Sequence, residues 1–394
     1  MPDITIRKLE GDEKLAAMYN LNAYAFHPSP PLMDKDEWQE PVRHREGVTY
    51  LALFEDGAAV AGAAGTTMTQ QVRGSLFAAN GIWAVATAPG ARRQGYCRQV
   101  MADLLAALRQ DGQAFSTLYP FRESFYERLG YVTFPLPRLA KLTPLALTPL
   151  LAQDLGGQVE WRLIGDGYED FRAYLTRMQQ HTHGMALFVP GDRFAAQRNR
   201  LWLVLAKVAG EPVGLMLYQL KGEEVTQFLL RATRFYYHTS QGRYLLLQWI
   251  ARHADQASQV EIWLPPYEQP ETWLADLGVK TESQVRAPMA RLLDITKIGG
   301  MHTGPGRLAV RLRDPLCPWN EGVWQLETVD GRLQVSAGER PDGDLSVQGL
   351  TALLYGTHDP GDFALRGWGN PTPAVQATMR TIFPPLLPYI HEYF

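Results

Sequence analysis

Apolar residues recur along this chain with two periods, and the order in which the periods alternate predicts its elements. DITIRKL (3–9) reads as a strand; GDEKLAAMYNLNAYAF (11–26) places Leu15, Met18, Leu21 and Ala25 on one face of a helix. VTYLALFEDGAAVAGAAGTTMTQQVRG (48–74) predicts two strands around Glu55-Asp56-Gly57, since Asp-Gly supplies the positive φ of a tight turn. The β-rich run NGIWAVAT (80–87) is followed by APGARRQGYCRQV (88–100) and then by a helix with Val100, Leu104, Leu105 and Leu108 in one stripe. AFSTLYP (114–120) predicts a strand ending at a proline, and RESFYERLGY (122–131) a short helix ending at Gly130.

The proline-spaced segment FPLPRLAKLTPLALTPL (134–150) interrupts this pattern and reads as a connector. Beyond it a second two-strand meander predicts a turn at Gly210-Glu211-Pro212, followed by the helix GRYLLLQWIARHADQ (242–256) and the strand QVEIWLPP (259–266). Meander, helix and strand thus occur twice in the same order. A third region begins near SQVRAPMARLLD (283–294), alternates short strands with polar turns, and closes in an apolar, helix-like tail ending PYIHEYF. These breaks divide the chain into domains 1–150, 151–285 and 286–394, a length that asks for more than one core.

Composition narrows the function. With 38 basic and 41 acidic residues and a net charge of −3, no electrostatic nucleic-acid binder is expected. Two cysteines, Cys97 and Cys317, build no disulfide framework, and neither has a Cys or His neighbour at metal-ligand spacing, so no metal is expected. His181 and His183, an i, i+2 pair with no third ligand, read as surface residues, and His27 and His44 as loop residues. The N-terminus carries charges where a secretory signal needs an apolar core, and no window approaches a membrane span of about 18 residues. A cytoplasmic protein is expected.

The chemistry concentrates at residues 88–100. A strand stopping at Pro89 and a helix starting near Arg93 leave backbone N–H groups unpaired at a helix N-terminus, a place that favours anions. Gly95 permits close approach of a ligand, and Arg92, Arg93 and Arg98 add fixed positive charge suited to a diphosphate.

VATAPGARRQGYCRQVM (85–101) resembles the coenzyme A signature of the GNAT acyltransferases, an Arg/Gln-x-x-Gly-x-Gly/Ala run after a strand. The whole chain is similar to the Eis-type (enhanced intracellular survival) acetyltransferases, through VATAPGARRQG, SFYERLGY, DPLCPWNEGVWQL, DLSVQGLTALLYG and the aromatic C-terminus. That resemblance implies an α/β (α+β) protein: a catalytic GNAT domain, a degenerate GNAT-like domain with mixed sheets, and a domain like sterol carrier protein 2. It implies acetyl-CoA as cosubstrate, with Val85, Ala86 and Thr87 bonding the pantetheine through their backbone, and Arg92, Arg93, Gln94, Gly95, Tyr96, Cys97 and Arg98 cradling the diphosphate. Cys97 departs from the signature's Gly or Ala but is small. Phe121 and Arg122 would flank the pantetheine arm, Tyr126 would protonate the departing thiolate, and the terminal carboxylate of Phe394 would be the base.

For the acceptor, NAYAFHPSPPLMDKDEWQE (22–40) follows the first helix, where GNAT enzymes place a substrate-covering loop; Phe26 and Trp38 would supply apolar walls, and Asp34, Asp36 and Glu37 would attract an amine cation. Acetyl transfer to a primary amine of a polyamine-like or aminoglycoside-like molecule, or of lysine side chains, is the activity implied. The competing reading is a non-enzymatic carrier that holds a lipid in the third domain and coenzyme A as a structural or regulatory ligand. The bulky junction RFYYHTSQGRYLLL (234–247) implies one coenzyme A per chain, and the apolar strands of the second domain a homo-oligomer.

Overall fold

The computed structural model describes residues 2–43, 45–189, 199–283 and 286–393; His44 and Phe394 lie outside the described residues. The chain divides into two compact units, Met1–Phe134 with Thr182–Gly191 and Pro288–Phe394 in one, Pro135–His181 with Asp192–Ala287 in the other.

The first unit opens with β1 (Ile4–Leu9), α1 (Glu13–Phe26) and α2 (Lys35–Arg43), then a meander of β2 (Val48–Glu55), β3 (Ala58–Val72) and β4 (Ser75–Thr87). Asp56 (φ 50°) and Gly57 (φ 81°) make the expected primed turn, and Arg73 (φ 45°) with Gly74 (φ 78°) makes another between β3 and β4. An arginine in the left-handed region costs about 1 kcal/mol of backbone energy, so its side chain must return something. In α1, Leu15, Met18 and Leu21 are buried as expected, but Ala25 is exposed, and Asn22 and Ala23 are buried instead. Periodicity selects a helix face; it does not say how far the surface it packs on extends. Next come α3 (Tyr96–Gln110), which buries Val100, Leu104, Leu105 and Leu108, then β5 (Phe115–Leu118), α4 (Glu123–Glu127) and β6 (Val132–Thr133).

The chain leaves this unit after Phe134 rather than near 150. The proline-spaced segment is not a loose connector: β7 (Arg138–Leu142) pairs with a later strand, and Leu147 and Leu150 of the following 3-10 stretch are buried in the second unit's core. Its apolar side chains are too many to leave in water, so the prolines punctuate structure. β8 (Gln158–Leu163) and α5 (Tyr168–Gln179) follow, then β9 (Ala186–Phe188), which returns to the first unit and pairs with β3 at Met68–Gln70. The second unit resumes with β10 (Trp202–Val208), β11 (Glu211–Lys221), β12 (Phe228–Tyr237), α6 (Ser240–Ala251), β13 (Ala257–Leu264) and β14 (Lys280–Ser283), in the sheet order β14-β7-β13-β12-β11-β10-β8. Its first hairpin turns at Ala209 (φ 50°) and Gly210 (φ 86°), just ahead of the expected Gly210-Glu211-Pro212.

The third region begins by completing the first sheet. β15 (Met289–Leu292) inserts antiparallel between β5 and β6, giving the order β1-β2-β3-β4-β5-β15-β6. A smaller sheet follows from β16 (Arg307–Arg313), β17 (Gly322–Val329), β18 (Arg332–Ala337) and β19 (Gly343–Ser346), covered by α7 (Val347–Tyr355), with α8 (Phe363–Arg366) and α9 (Pro373–Ile382) after it. The two sheets share one core, in which Met68, Phe115 and Phe134 pack with Val310, Leu326, Leu350 and Leu353. The tail differs from the helix-like expectation: the helix stops at Ile382 and the remainder is irregular, because Pro384, Pro385 and Pro388 cannot donate helical hydrogen bonds.

A buried ion pair ties β15 to the smaller sheet. The guanidinium of Arg291 donates to Asp314 Oδ2 at 2.5 Å and to the carbonyl of Leu129, and both charged side chains are essentially inaccessible. Removing one partner of such a pair strands the other in low dielectric. Asp314→Ala should therefore lower the unfolding free energy by about 3 kcal/mol or more, read from denaturant titration of the folded chain; a loss below about 1 kcal/mol, the scale of an exposed pair, would show that water reaches Arg291.

Candidate functional site

The site starts from a defect in β4. Pairing with β3 shifts register between Gly62 and Ala64, and Ala84 opposite the shift has φ 54°, the geometry of a bulge. β4 pairs in parallel with β5 only from Ala79 to Ile82, so Val85, Ala86 and Thr87 continue past the end of β5. The two strands splay, and the β5-side backbone edge of Val85–Thr87 has no strand partner among the described residues. A ligand rich in amides fits such an edge.

Beyond the splay the backbone winds tightly. A 3-10 turn at Pro89–Ala91 leads to Arg93 (φ 65°) and Gly95 (φ 84°), and Gly95 caps α3, which begins at Tyr96 rather than near Arg93. The first i→i−4 bond of this helix runs from Gln99 N to Gly95 O, so the N–H groups of Tyr96, Cys97 and Arg98 have no intrahelical acceptor. Left-handed residues ahead of a helix start form a concave nest of N–H groups suited to phosphate. A Cβ built on Gly95 meets no atom within 4 Å, so the space above it is open.

These features line a cleft of about 810 Å³, within the range of about 300–1,000 Å³ usual for small-molecule sites. Of the residues expected to hold the cofactor, Val85, Ala86, Thr87, Arg92, Arg93, Gly95, Tyr96, Cys97 and Arg98 line it. Tyr96 does so while keeping its ring buried and donating its hydroxyl to Glu55 Oε1 at 2.8 Å. Gln94 is not among the lining residues; its side-chain amide donates weakly to Gly90 O at 3.4 Å. Phe121, 63 % exposed, faces the cleft, whereas Arg122 stands outside it at the start of α4. Phe125, Arg128 and Leu129 also line it and escaped the sequence reading, although their three- and four-residue spacing in SFYERLGY was a usable signal.

Tyr126 lies behind this wall. It is 4 % exposed, with ring centroids 5.1 Å from Phe125, 5.7 Å from Phe121 and 6.1 Å from Tyr131. Burial, then the neighbouring Cys97 and Tyr131, raise its phenol above the ordinary value, so it holds its proton at neutral pH. Burial likewise pushes the Cys97 thiol up to about 11, which makes it a neutral wall and not a nucleophile.

The residues expected on the acceptor side are divided by the structure. Phe26 is 55 % exposed and lines the cleft together with Ala25. Trp38 does not: it is buried with Leu15 and Met18 of α1, its ring edge-on to Tyr19 at 5.8 Å, because α2 packs on α1 through this side chain. Asp34 Oδ1 accepts the N–H of Asp36 and of Glu37, both at 2.9 Å, at the start of α2, and none of these three acids lines the cleft. His183 is a further correction: it is buried, with Nδ1 accepting from Arg73 N at 3.0 Å and Nε2 facing Tyr355 O at 3.0 Å. Among the described residues no group of three or more His, Cys, Asp or Glu side chains could hold a metal, and no helix is long and apolar enough to cross a membrane.

Near the open end of the splay lies the chain's tail. Tyr119, just after β5, donates its hydroxyl to Glu392 O at 3.2 Å, and its ring lies 4.6 Å from that of Tyr393. Phe394, the expected base, lies outside the described residues.

At the matching junction of the second unit the space is filled. β12 enters α6 through Thr239, whose hydroxyl accepts from Gly242 N at 3.1 Å, and the Gly242 Cα packs directly on the Val213 carbonyl. Arg243 sits over Tyr244, Tyr237 and Trp273 at 4.9, 5.3 and 5.6 Å, and the Tyr237 hydroxyl donates to Glu268.

A splayed parallel strand pair leading into an N–H nest is the architecture of an acyltransferase fed by an acyl thioester of a nucleotide carrier. Family comparison agrees: acetyltransferase (GNAT) domain models match residues 5–134 and 167–292, and a sterol carrier protein domain model matches residues 295–391. The chain belongs to the GNAT acetyltransferases, with two such domains ahead of a sterol carrier protein domain. Among solved structures it is similar to a GCN5-related N-acetyltransferase from Kribbella flavida (21 % identity, 100 % of this chain and 99 % of that one, TM-score 0.81). It is similar as well to one from Anabaena variabilis (18 %, 98 % and 99 %, 0.81) and to Eis1 from Mycobacterium abscessus (16 %, 100 % of both, 0.76). A search of curated proteins returned no match.

Two binding predictions follow from this geometry. Gly95→Val should raise the Kd for acetyl-CoA about tenfold or more, equivalent to about 1.4 kcal/mol, because the branched side chain would enter the open space over the nest; calorimetric titration giving an unchanged Kd would remove the nest from the site. The same titration should give one acetyl-CoA per chain, and a second site would mean that Arg243 and its aromatic partners yield to a ligand.

Proposed function

We propose that this chain transfers an acetyl group from acetyl-CoA to a primary amine of a small polyamine-like or aminoglycoside-like molecule, or of a lysine side chain. The observation that carries the reading is the β5-side edge of Val85–Thr87, without a strand partner among the described residues, running into the nest at Arg93–Arg98. Amides of a pantetheine arm would pair with the first, and a diphosphate would sit on the second beside Arg92, Arg93 and Arg98. In the step itself the amine nitrogen attacks the thioester carbonyl, the carbon–sulfur bond breaks, and the thiolate takes a proton. Tyr126 is the acid in this reading: a buried phenol beside Cys97, which lines the cleft, remains protonated until the thiolate forms. The ammonium proton passes to a base, directly or through water, and the tail seated at Tyr119 supports giving that role to the carboxylate of Phe394.

The carrier reading is the weaker one. In the sterol-carrier-like region the apolar faces of β16, β17 and β19 and of α7 are filled by Leu308, Val310, Leu326, Leu345 and Leu354, all in the core shared with the first sheet. A cytoplasmic homo-oligomer is the expected context.

Coenzyme A release from acetyl-CoA over a panel of amines, followed with a thiol reagent, tests the proposal; no turnover above background with any amine would favour the carrier. Tyr126→Phe should lower kcat by about 10²-fold with nearly intact acetyl-CoA affinity, whereas equal losses of melting temperature and kcat would mark a packing residue. Adding residues after Phe394 should abolish turnover, and full kcat in such a variant would remove its carboxylate from the mechanism.

A further inference from the structure

Resting on the acyl-transfer reading above, we infer that Arg73 and His183 are positioning residues: together they fix the tail 384–393 against the end of β5, and so set where Glu392 and Tyr393 stand at the splay. Arg73 occupies the primed turn between β3 and β4 at φ 45°, a position that glycine or asparagine fills more cheaply. Its side chain turns inward and is buried, and among the described residues no carboxylate pairs with it. The guanidinium donates instead to three carbonyls, Leu354 O through Nε at 2.8 Å, Leu353 O at 2.8 Å and Pro384 O at 3.0 Å through Nη2. The first two belong to the C-terminal turn of α7, where the helix dipole favours a cation, and the third is the first residue of the extended tail. Burial lowers the arginine to about 10, so it stays charged at neutral pH. The ring of Phe383 lies 5.5 Å from the guanidinium carbon.

His183 completes the seat from the other side. Because Nδ1 accepts from Arg73 N, the ring proton must be on Nε2, which donates to Tyr355 O at the end of α7. Burial and the adjacent Arg73 lower the imidazole to about 3, so it is neutral and this tautomer is fixed throughout the physiological range. Its own carbonyl accepts from Tyr389 N at 2.9 Å, and Gly184 (φ 81°) lies so close that an added Cβ would meet Pro388 Cβ at 2.7 Å and Tyr389 N at 2.9 Å. From this seat the tail runs to Glu392, whose Oε1 accepts from Phe188 N at 3.3 Å and whose carbonyl accepts from the Tyr119 hydroxyl. The strand β9 and the turn Arg73-Gly74 thus join the sheet to the tail.

The test uses full-length Arg73→Met, Arg73→Lys and Gly184→Ala, the last pressing on the tail backbone while leaving the cation in place. Steady-state kinetics, acetyl-CoA titration and limited chymotrypsin cleavage at Tyr389 and Tyr393, followed by mass spectrometry, are read side by side. Arg73→Met and Gly184→Ala should lower kcat by about tenfold or more, the scale of a misplaced reacting group, leave the acetyl-CoA Kd within about twofold, a change too small to count as lost binding, and speed tail cleavage; Arg73→Lys should recover part of kcat. Wild-type kcat with a fast-cleaved tail overturns the inference while leaving the acyl-transfer reading intact, as does a parallel loss of kcat and acetyl-CoA affinity. Should Arg73→Met fail to fold, Gly184→Ala decides the question by the same two readouts. A wild type that binds no acetyl-CoA overturns the acyl-transfer reading itself.

Discussion

Everything at the site depends on β4 and β5 parting company. A parallel pair that stayed in register would spend the amides of Val85–Thr87 on β5 and leave nothing for a ligand. The bulge at Ala84 prevents this by bending β4 away after Ile82, and the chain then passes through two left-handed residues, Arg93 and Gly95, before α3 begins. Strand edge and helix start become consecutive stretches of backbone without strand or helix partners among the described residues, which is unfavourable unless something polar meets them. The site is in this sense a local failure of secondary structure held open by a regular sheet.

What holds it open comes largely from the other end of the chain. β15 covers the edge of β5 that would otherwise be bare, Arg291 grips the carbonyl of Leu129 beside the short helix carrying Tyr126, and α7 receives Arg73. The sterol-carrier-like region therefore contributes a strand, a buried ion pair and a helix end to the architecture around the cleft. Its apolar side chains merge with those of the first sheet into one core, so the two regions share their burial energy.

The sequence was most legible where backbone conformation is dictated locally. Asp56-Gly57 could make little but a primed turn, the apolar stripe of α3 fixed its buried face, and Gly95 with its neighbouring arginines marked a helix start in residues 88–100. Legibility ended where tertiary partners decide. Trp38 and Phe26 are both aromatic residues around one loop, yet one is sealed against Tyr19 and the other faces the cleft, a difference set by the packing of α1 on α2. His183 reads as a polar residue in HTHG, and only the arrival of α7 and the tail turns it into a buried link. β15 is four residues long and pairs with strands far back in the chain, so no local pattern could assign it to the first sheet.

The second unit shows how little separates a ligand site from a packed junction. It repeats the order of meander, helix and strand, with β12 and β13 parallel like β4 and β5. Yet Gly242 there is spent on close packing against the Val213 carbonyl, where Gly95 opens onto empty space. The cation after the glycine, Arg243, is covered by its own aromatic neighbours, whereas Arg92, Arg93 and Arg98 border a cleft. Glycine and arginine occur at both junctions, and composition alone does not tell them apart. The outcome is set by which neighbour reaches the helix start first: tyrosine and tryptophan side chains in one unit, and in the other an opening kept by the bulge at Ala84, nine residues before Arg93 turns left-handed.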